Sequence, residues 1–373
     1  MILTYLRKIM LLIILVFAFL GMGLYVFMQQ KVFGKDPSGA RLARIEKSPN
    51  YSNGSFQNLS LTEVMPKDAS YWGLLNDFLN KPKTVEPDDV LPSIKTDLKT
   101  LASEKPTIVW FGHSSYLIKS KKTTVLVDPV FSGAASPVPF FGKAFKGADV
   151  YNVEDFPEID MLVLSHDHYD HLDYVTISKL IPKVKKFYTA LGVGAHLEEW
   201  GVNPENIVEF DWWEGKKIND ALEITSTPAR HFSGRGFTSG KTLWSSFVLK
   251  IDGYSIFIGG DSGYDNHFKT IGEKFGPFDI ALLENGQYGK DWPLIHTSPE
   301  ETAKVAAELN TKVLMPVHWA KFALGYHPWD EPINRLVKSL EHSDITLTTP
   351  LIGEPVVLDS IYPHKVWWNF KKP

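Results

Sequence analysis

The stretch VLSHDHYDHLD, residues 163–173, gathers three of the chain's twelve histidines directly behind a short apolar run. Crowding three imidazoles around Asp167 and Asp170 is costly unless a shared cation compensates them. A single histidine on an apolar face is ordinarily a hydrogen-bonded core residue. The pattern H-x-H-x-D-H, at His166, His168, Asp170 and His171, reads instead as a metal site. It also constrains the fold, because ligands grouped this way need a rigid strand end to hold them. The chain contains no cysteine. Disulfides and cysteine-based zinc fingers are therefore excluded, and any metal rests on histidine and carboxylate.

Further strand ends supply more ligands. From about Pro106 onward, short apolar or alternating runs end in His or Asp: MLVLSH, EITSTPARH, YSIFIGGD and KVLMPVH. They deliver His231, Asp261 and His318 in addition to the first cluster. TIVWFGHSSYLIKS and TTVLVDPVF read as two strands joined by a charged turn at residues 119–122. SPEETAKVAAELN reads as a helix, with Ser298 as N-cap, Pro299 at its first position and Glu301 closing a capping box. Strands and helices interleave throughout, so the class is α/β with one site built at strand ends.

His166, His168, Asp170, His171, His231, Asp261 and His318 are enough for two zinc-like ions, each keeping a position for water. His166 and His168, two apart, can project to one side of an extended turn and hold one ion. Asp170 and His171, at the start of the next helix, can serve a second, with the Asp261 carboxylate bridging. Asp170 then also stands beside the reacting water, which makes it a catalytic candidate. His296, just before the capped helix in IHTSPEE, is a second one, facing substrate. His113 in FGHSS and Asp128 in LVDP also lie at strand ends and read as hydrogen-bonding supports of the ligands. His196, His267, His342 and His364 read as surface residues. Gly259 and Gly260 read as close backbone packing before Asp261, since no G-x-G-x-x-G is present.

Composition matters at two points. A net charge of −4 and a pI near 6.3 give no basic field for nucleic acid. Residues 9–28, IMLLIILVFAFLGMGLYVFM, carry no charge. As a helix they span about 30 Å, the thickness of a bilayer's hydrocarbon core. The apolar stretch is long for a signal peptide and no small-x-small cleavage site follows, so a retained single-pass membrane anchor is expected. The catalytic body is expected on the extracytoplasmic side. Residues 31–70 are polar, with SPNYSNGSFQNLS at their centre, and read as a tether or N-terminal arm; residues 71–373 form the catalytic domain.

With these residues in hand, the chain resembles the metallo-β-lactamase-fold hydrolases, whose signature stands here at His166 to His171. It is most similar to the branch of N-acylphosphatidylethanolamine-hydrolysing phospholipase D and its bacterial relatives. WFGHSS, VLVDPVFSGAASP, LSHDHYDHLD, TPARHFSGRG, LWSSFVL, IFIGGDSGY, HTSPEE and VHWAKFAL carry that resemblance, across residues 107–336. It implies a four-layer αβ/βα sandwich behind the N-terminal transmembrane helix, with two zinc ions at the sheet edges. One zinc would take His166, His168 and His231; the other Asp170, His171 and His318, with Asp261 bridging. The implied activity is hydrolysis of N-acylphosphatidylethanolamine-type phospholipids to phosphatidic acid and N-acylethanolamine. A lactonase or other small-ester or amide hydrolase is the alternative, since the same fold hosts such enzymes. LLENGQYGKDWP departs from the pattern of the animal enzymes, which leaves the headgroup open. The expected partners are a phospholipid substrate and the membrane, with a homodimer as a further expectation. The apolar loop ASPVPFFGKAF, residues 135–145, can dip into a lipid interface, and the tail VWWNFKKP is expected to pack on the body.

Overall fold

Continuous apolar runs such as TIVW and MLVL cannot leave one face to water, so the sheets they form must be covered on both sides. A computed structural model describes residues 2–67, 69–102 and 104–369. It contains two seven-stranded sheets. The first runs Pro355–Val357, Thr107–Trp110, Tyr116–Ser120, Thr123–Val127, Ile159–Leu164, Val184–Ala190, Ile207–Phe210. Its pairings are antiparallel as far as Thr123–Val127 and parallel beyond. The second runs Thr346–Leu347, Val313–Val317, Ile280–Glu284, Tyr254–Ile258, Ser245–Ile251, Leu222–Pro228, Gly215–Asn219. Here the first three pairings are parallel and the rest antiparallel.

Strand periodicity sorts the side chains between two cores. Ile108, Trp110, Met161 and Val163 meet Phe247, Leu249 and Ile258 of the second sheet. Their neighbours Val109, Leu162 and Leu164 turn the other way, against Ile177, Leu180 and Leu197 of the helices Tyr174–Leu180 and Gly194–Glu199. The second sheet is covered by His267–Phe275, Pro299–Glu308 and Glu331–Ser339 through Phe268, Val305 and Leu336. The order helix, sheet, sheet, helix is the four-layer sandwich expected.

Several local expectations change. TIVWFGHSSYLIKS holds two strands: the chain reverses at residues 111–115, where Gly112 and His113 take φ of 80° and 51°. The helix after HDHYDH begins only at Tyr174, capped by Asp173, whose side chain accepts from Val175 N. Asp170 and His171 therefore lie in the turn before it, which Leu172 N closes onto His168 O at 2.8 Å. His196 and His267 are not surface residues but are 3% and 5% exposed, held by polar partners that the sequence does not reveal. His342 and His364 are exposed, as expected. The helix Pro299–Glu308 has the Ser298–Glu301 capping box with Pro299 at its start.

The apolar helix spans Ile2–Met28, longer than the uncharged stretch suggested. Its segment Thr4–Met28 is long and apolar enough to cross a membrane, and none of it is buried. Between residues 31 and 58 the chain lies against the body. Arg41 bridges Glu198 and Glu209 at 2.6 and 2.8 Å, and Asn58 Nδ2 donates to the His231 carbonyl at 2.8 Å. The 135–145 loop leaves Phe140 and Phe141 64% and 47% exposed while Phe145 is buried. Trp367 and Trp368 pack on Trp319, with centroids 5.2 and 5.7 Å away. The tail's last residues, 370–373, lie outside the described residues.

Lys321 locks the loops that follow three strands. Fully buried, its Nζ donates to the carbonyls of Phe111 and Val130 at 3.3 and 2.9 Å and lies 3.1 Å from Asp149. Lys321→Met keeps the stem but leaves two buried carbonyls without a donor. It is expected to cost about 2–4 kcal/mol, read as a lower urea midpoint; an unchanged midpoint would show the ammonium to be dispensable.

Candidate metal centre

Both sheets end at the same edge, and the residues after those ends converge. His166 Nε2 and His168 Nδ1 are 2.9 Å apart, and His168 Nδ1 is 3.2 Å from His231 Nε2. Ligands about 2.0–2.1 Å from a tetrahedral ion stand roughly 3.3 Å from one another, so these spacings are those of a shared ion. A second group comprises His113, Asp170, His171 and His318, whose candidate ligand atoms all lie within 4.8 Å of one another. Asp261 stands between the groups. Its Oδ1 is 3.1 Å from both His171 Nε2 and His318 Nδ1, while Oδ2 is 3.8 Å from His231 Nε2 and 3.9 Å from His166 Nε2.

The outer hydrogen bonds point the rings inward. Ser165 Oγ donates to Asp128 Oδ2 at 2.6 Å and so accepts from His166 Nδ1 at 2.9 Å. His231 Nδ1 donates to the Ile295 carbonyl at 2.9 Å, and His171 Nδ1 to Asp128 Oδ2 at 2.8 Å. Each ring thus turns Nε2 towards the cluster. Among the described residues, His171 Nε2, Asp261 Oδ1 and His318 Nε2 are buried with no hydrogen bond of good geometry. Buried polar atoms left unsatisfied within one cluster are what a metal would satisfy, and the donor set of imidazole and carboxylate suits zinc. The residues fit the group.

Electrostatics agree. Burial, reinforced by the neighbouring imidazoles, holds His166 well below the ordinary histidine range. Burial does the same at His231 and His318, despite the pull of Asp261. Burial opposes charge on Asp170 and Asp261, yet His171 and the surrounding histidines outweigh it and keep both carboxyls well below the usual range. Among the ligand histidines, His171 is the one raised, because Asp261 and Asp170 overcome its burial.

His113 and Asp128 stand where supports were expected. His113 Nε2 donates to Asp170 Oδ2 at 2.9 Å, and Asp128 also accepts from Ser165 N at 2.8 Å. His296 is present at the cleft wall, its ring 5.1 Å from that of His231. Its partner Glu284 was missed: Oε2 lies 2.6 Å from His296 Nδ1. Burial, with the charge of Asp261 nearby, pushes the Glu284 carboxyl up to about 7. Its signal was legible, since ALLE ends a strand in an acid as the other site strands do. Asp167, within the H-x-H turn, and Arg235, buried against its carbonyls, gave no comparable signal. The cleft encloses about 310 Å³ and is lined by ligand residues together with Val64, Met65, Leu74, Phe232, Trp292 and Leu324.

Asp128→Asn keeps the shape but cannot accept from both Ser165 Oγ and His171 Nδ1 through a carboxylate oxygen. Metal affinity at the His171 side is expected to fall about 10–100-fold, read by chelator competition. Equal affinity in the variant would remove Asp128 from the site's support.

Residues 123–319 match the family model described as Beta-lactamase superfamily domain. An uncharacterized protein of Mycobacterium tuberculosis is 36% identical over 343 residues, covering 90% of this chain and 91% of that one. The N-acyl-phosphatidylethanolamine-hydrolyzing phospholipase D 1 of Caenorhabditis elegans is 28% identical over 288 residues, covering 70% and 81%. Among solved structures, a metallo hydrolase of the archaeon Ignicoccus hospitalis aligns with a TM-score of 0.52 at 21% identity, covering 68% of this chain and 99% of its own. Sequence family, sandwich and strand-end site agree: the chain belongs to the metallo-β-lactamase superfamily, as a metal-dependent hydrolase.

Proposed function

We propose that the chain is a membrane-anchored, dinuclear zinc phosphodiesterase that cleaves N-acylphosphatidylethanolamine-type phospholipids to phosphatidic acid and N-acylethanolamine. The observation that carries the dinuclear reading is Asp261, whose two oxygens face different histidine groups. The substrate class is supported by the similarity to the nematode phospholipase D and by the apolar lining of the cleft. Exposed Phe140 and Phe141 and the apolar helix add to it, because a site held at a bilayer meets lipid at high effective concentration.

Bound zinc would supply Lewis-acid stabilisation of the phosphoryl oxygens and an acidified water. The chain's own residues do the rest. His113 fixes the orientation of Asp170 through Oδ2, at 2.9 Å, so that Asp170 stays an ionised acceptor beside the reacting centre. Glu284 and His296 hold a proton between them at the cleft wall, within reach of a departing alkoxide. Met65, Leu74 and Trp292 exclude water and receive hydrocarbon.

The alternative, a lactonase or other small-ester or amide hydrolase, is favoured by one observation. A second cavity of about 570 Å³ shares Trp292 and His296 with the cleft and carries Asp77, Lys290 and Asp291. Its wall includes residues 288–293, where Lys290 and Asp291 supply polar contacts within a mostly apolar lining.

Purified full-length protein is expected to carry two zinc ions and to release phosphatidic acid from a mixed phospholipid extract. In heavy-oxygen water the label should appear on the phosphatidic acid phosphate. Label in a freed fatty acid, or turnover of lactones alone, would transfer the assignment to the alternative. His296→Ala is expected to lower kcat about 10²–10³-fold with zinc content unchanged, and to matter far less for a nitrophenyl phosphodiester, whose leaving group needs no proton. An equal loss on both substrates would remove His296 from proton transfer.

A further inference from the structure

The segment that leaves the apolar helix does not run free. The Lys31 carbonyl accepts from Trp200 Nε1 at 2.7 Å, and the Val32 carbonyl from Arg235 Nη2 at 2.7 Å. Phe33 stacks edge-on between Phe27 of the helix and Tyr169 of the H-x-H-x-D-H turn. Lys35 N donates to His196 Nδ1 at 2.9 Å, which leaves Nε2 of that ring to donate to Asp167 Oδ2 at 3.2 Å.

Arg235 grips the ligand turn, and Asp167 anchors it from within. The Arg235 guanidinium, 4% exposed, donates through Nη1 to the carbonyls of Asp167 and Leu172 at 2.6 and 2.7 Å. Those carbonyls bracket His168, Asp170 and His171. Its charged plane lies 4.2 Å from the ring of Tyr169 and 5.2 Å from that of Trp200. Asp167 sits between His166 and His168 and accepts in addition from Gly234 N and Thr242 Oγ1 at 2.7 and 2.9 Å. A planar fork with several donors suits such carbonyl clamping better than an ammonium would. Two routes therefore run from residues 31–35 to the ligand turn, one through Arg235 and one through His196.

We propose that residues 31–35 are a working part of the metal centre: seated on Trp200, Arg235 and His196, they hold the ligand turn in place, so that metal retention depends on how the chain leaves the apolar helix. Arg235, His196 and Asp167 are positioning residues in this scheme, and it rests on the metal-site reading above. Supports one shell removed from a metal typically change its affinity about 10–100-fold, and rigid second contacts are what keep a site within tolerance.

Gly34 allows a test in the full chain without replacing a ligand or a support. It adopts φ of +72°, and a Cβ there would meet His196 Nδ1 at 2.0 Å. Gly34→Ala must push the segment off His196. Gly39, at φ +57° with nothing within 4 Å of its Cβ, is the matched control. In detergent-solubilised full-length protein, Gly34→Ala is expected to lose zinc at about tenfold lower chelator concentration and to show an altered visible spectrum when loaded with cobalt. Excess zinc should restore its activity, which it would not do for a globally unfolded chain. Gly39→Ala should match the parent. If Gly34→Ala fails to fold, Trp200→Phe removes the bond to Lys31 while keeping an aromatic ring beside Arg235 and His196, and should shift zinc retention in the same direction, by about threefold. A folded variant with parental zinc retention and cobalt spectrum overturns the proposal. A parent chain that binds no metal defeats the metal reading itself, which is a different outcome.

Discussion

Five imidazoles and two carboxylates, from His166 to His318, stand in overlapping groups whose ligand atoms lie within 4.8 Å of one another, most of them beneath the surface. Their desolvation opposes folding unless something compensates it. The chain keeps most of them in the protonation state that a cation needs. Burial and mutual proximity keep His166, His231 and His318 neutral, and Asp170 and Asp261 stay ionised. His171, raised by its two carboxylate neighbours, is the exception, and metal would take the place of its proton. Because an unfolded chain offers no such site, metal binding and folding stability are one linked quantity here.

The compensation has an architectural consequence. His166, His168, Asp170 and His171 follow a strand of the first sheet, whereas His231, Asp261 and His318 follow strands of the second. The spacing of the two groups is therefore set by how the sheets pack through Met161, Val163, Phe247 and Ile258. Two backbone bonds pin the edge: His113 N to Trp319 O and His318 N to His113 O, both 2.9 Å. His113, Asp128 and His318 all take positive φ, at 51°, 39° and 66°. Such backbone costs about 1–3 kcal/mol per residue and persists only where surrounding structure over-determines it. The buried core on both faces of the first sheet supplies that excess, and Lys321 ties the loops together.

What the sequence made legible follows from local periodicity. Apolar runs ending in His or Asp located the strand ends and with them every residue of the two groups, because the alternation of a strand and the crowding of imidazoles are both local signals. The fold class followed from interleaved strands and helices. Less visible were residues whose roles depend on partners 29 to 203 positions away. His196 looks like a surface histidine until Lys35 and Asp167 flank it, and Arg235 looks like a loop cation until Val32 and Leu172 accept from it. Gly112 and His113 split an apparent single strand by backbone conformation alone, which hydrophobic patterning does not encode. A polar, serine-rich arm has the composition of a linker, yet its carbonyls and Asn58 find buried partners.

That arm bears on how substrate arrives. A Cβ at Gly236 would lie 3.1 Å from Met28 Cε, so the last residue of the apolar helix touches the loop that begins at His231. Five residues of fully extended chain reach at most about 18 Å, so His231 of the metal cleft lies within that distance of the loop residue that the helix end touches. If the helix spans a bilayer as proposed, the cleft cannot lie far above the headgroup layer, whatever the orientation of the body. Val64, Met65 and Leu74, from the same N-terminal region, line its wall with apolar atoms. A lipid whose phosphate reached the metals would keep part of its chains against hydrocarbon or these side chains, so the desolvation that normally opposes extracting a lipid would be largely avoided. A water-soluble substrate gains nothing from that placement, and the placement itself therefore weighs towards the lipid reading.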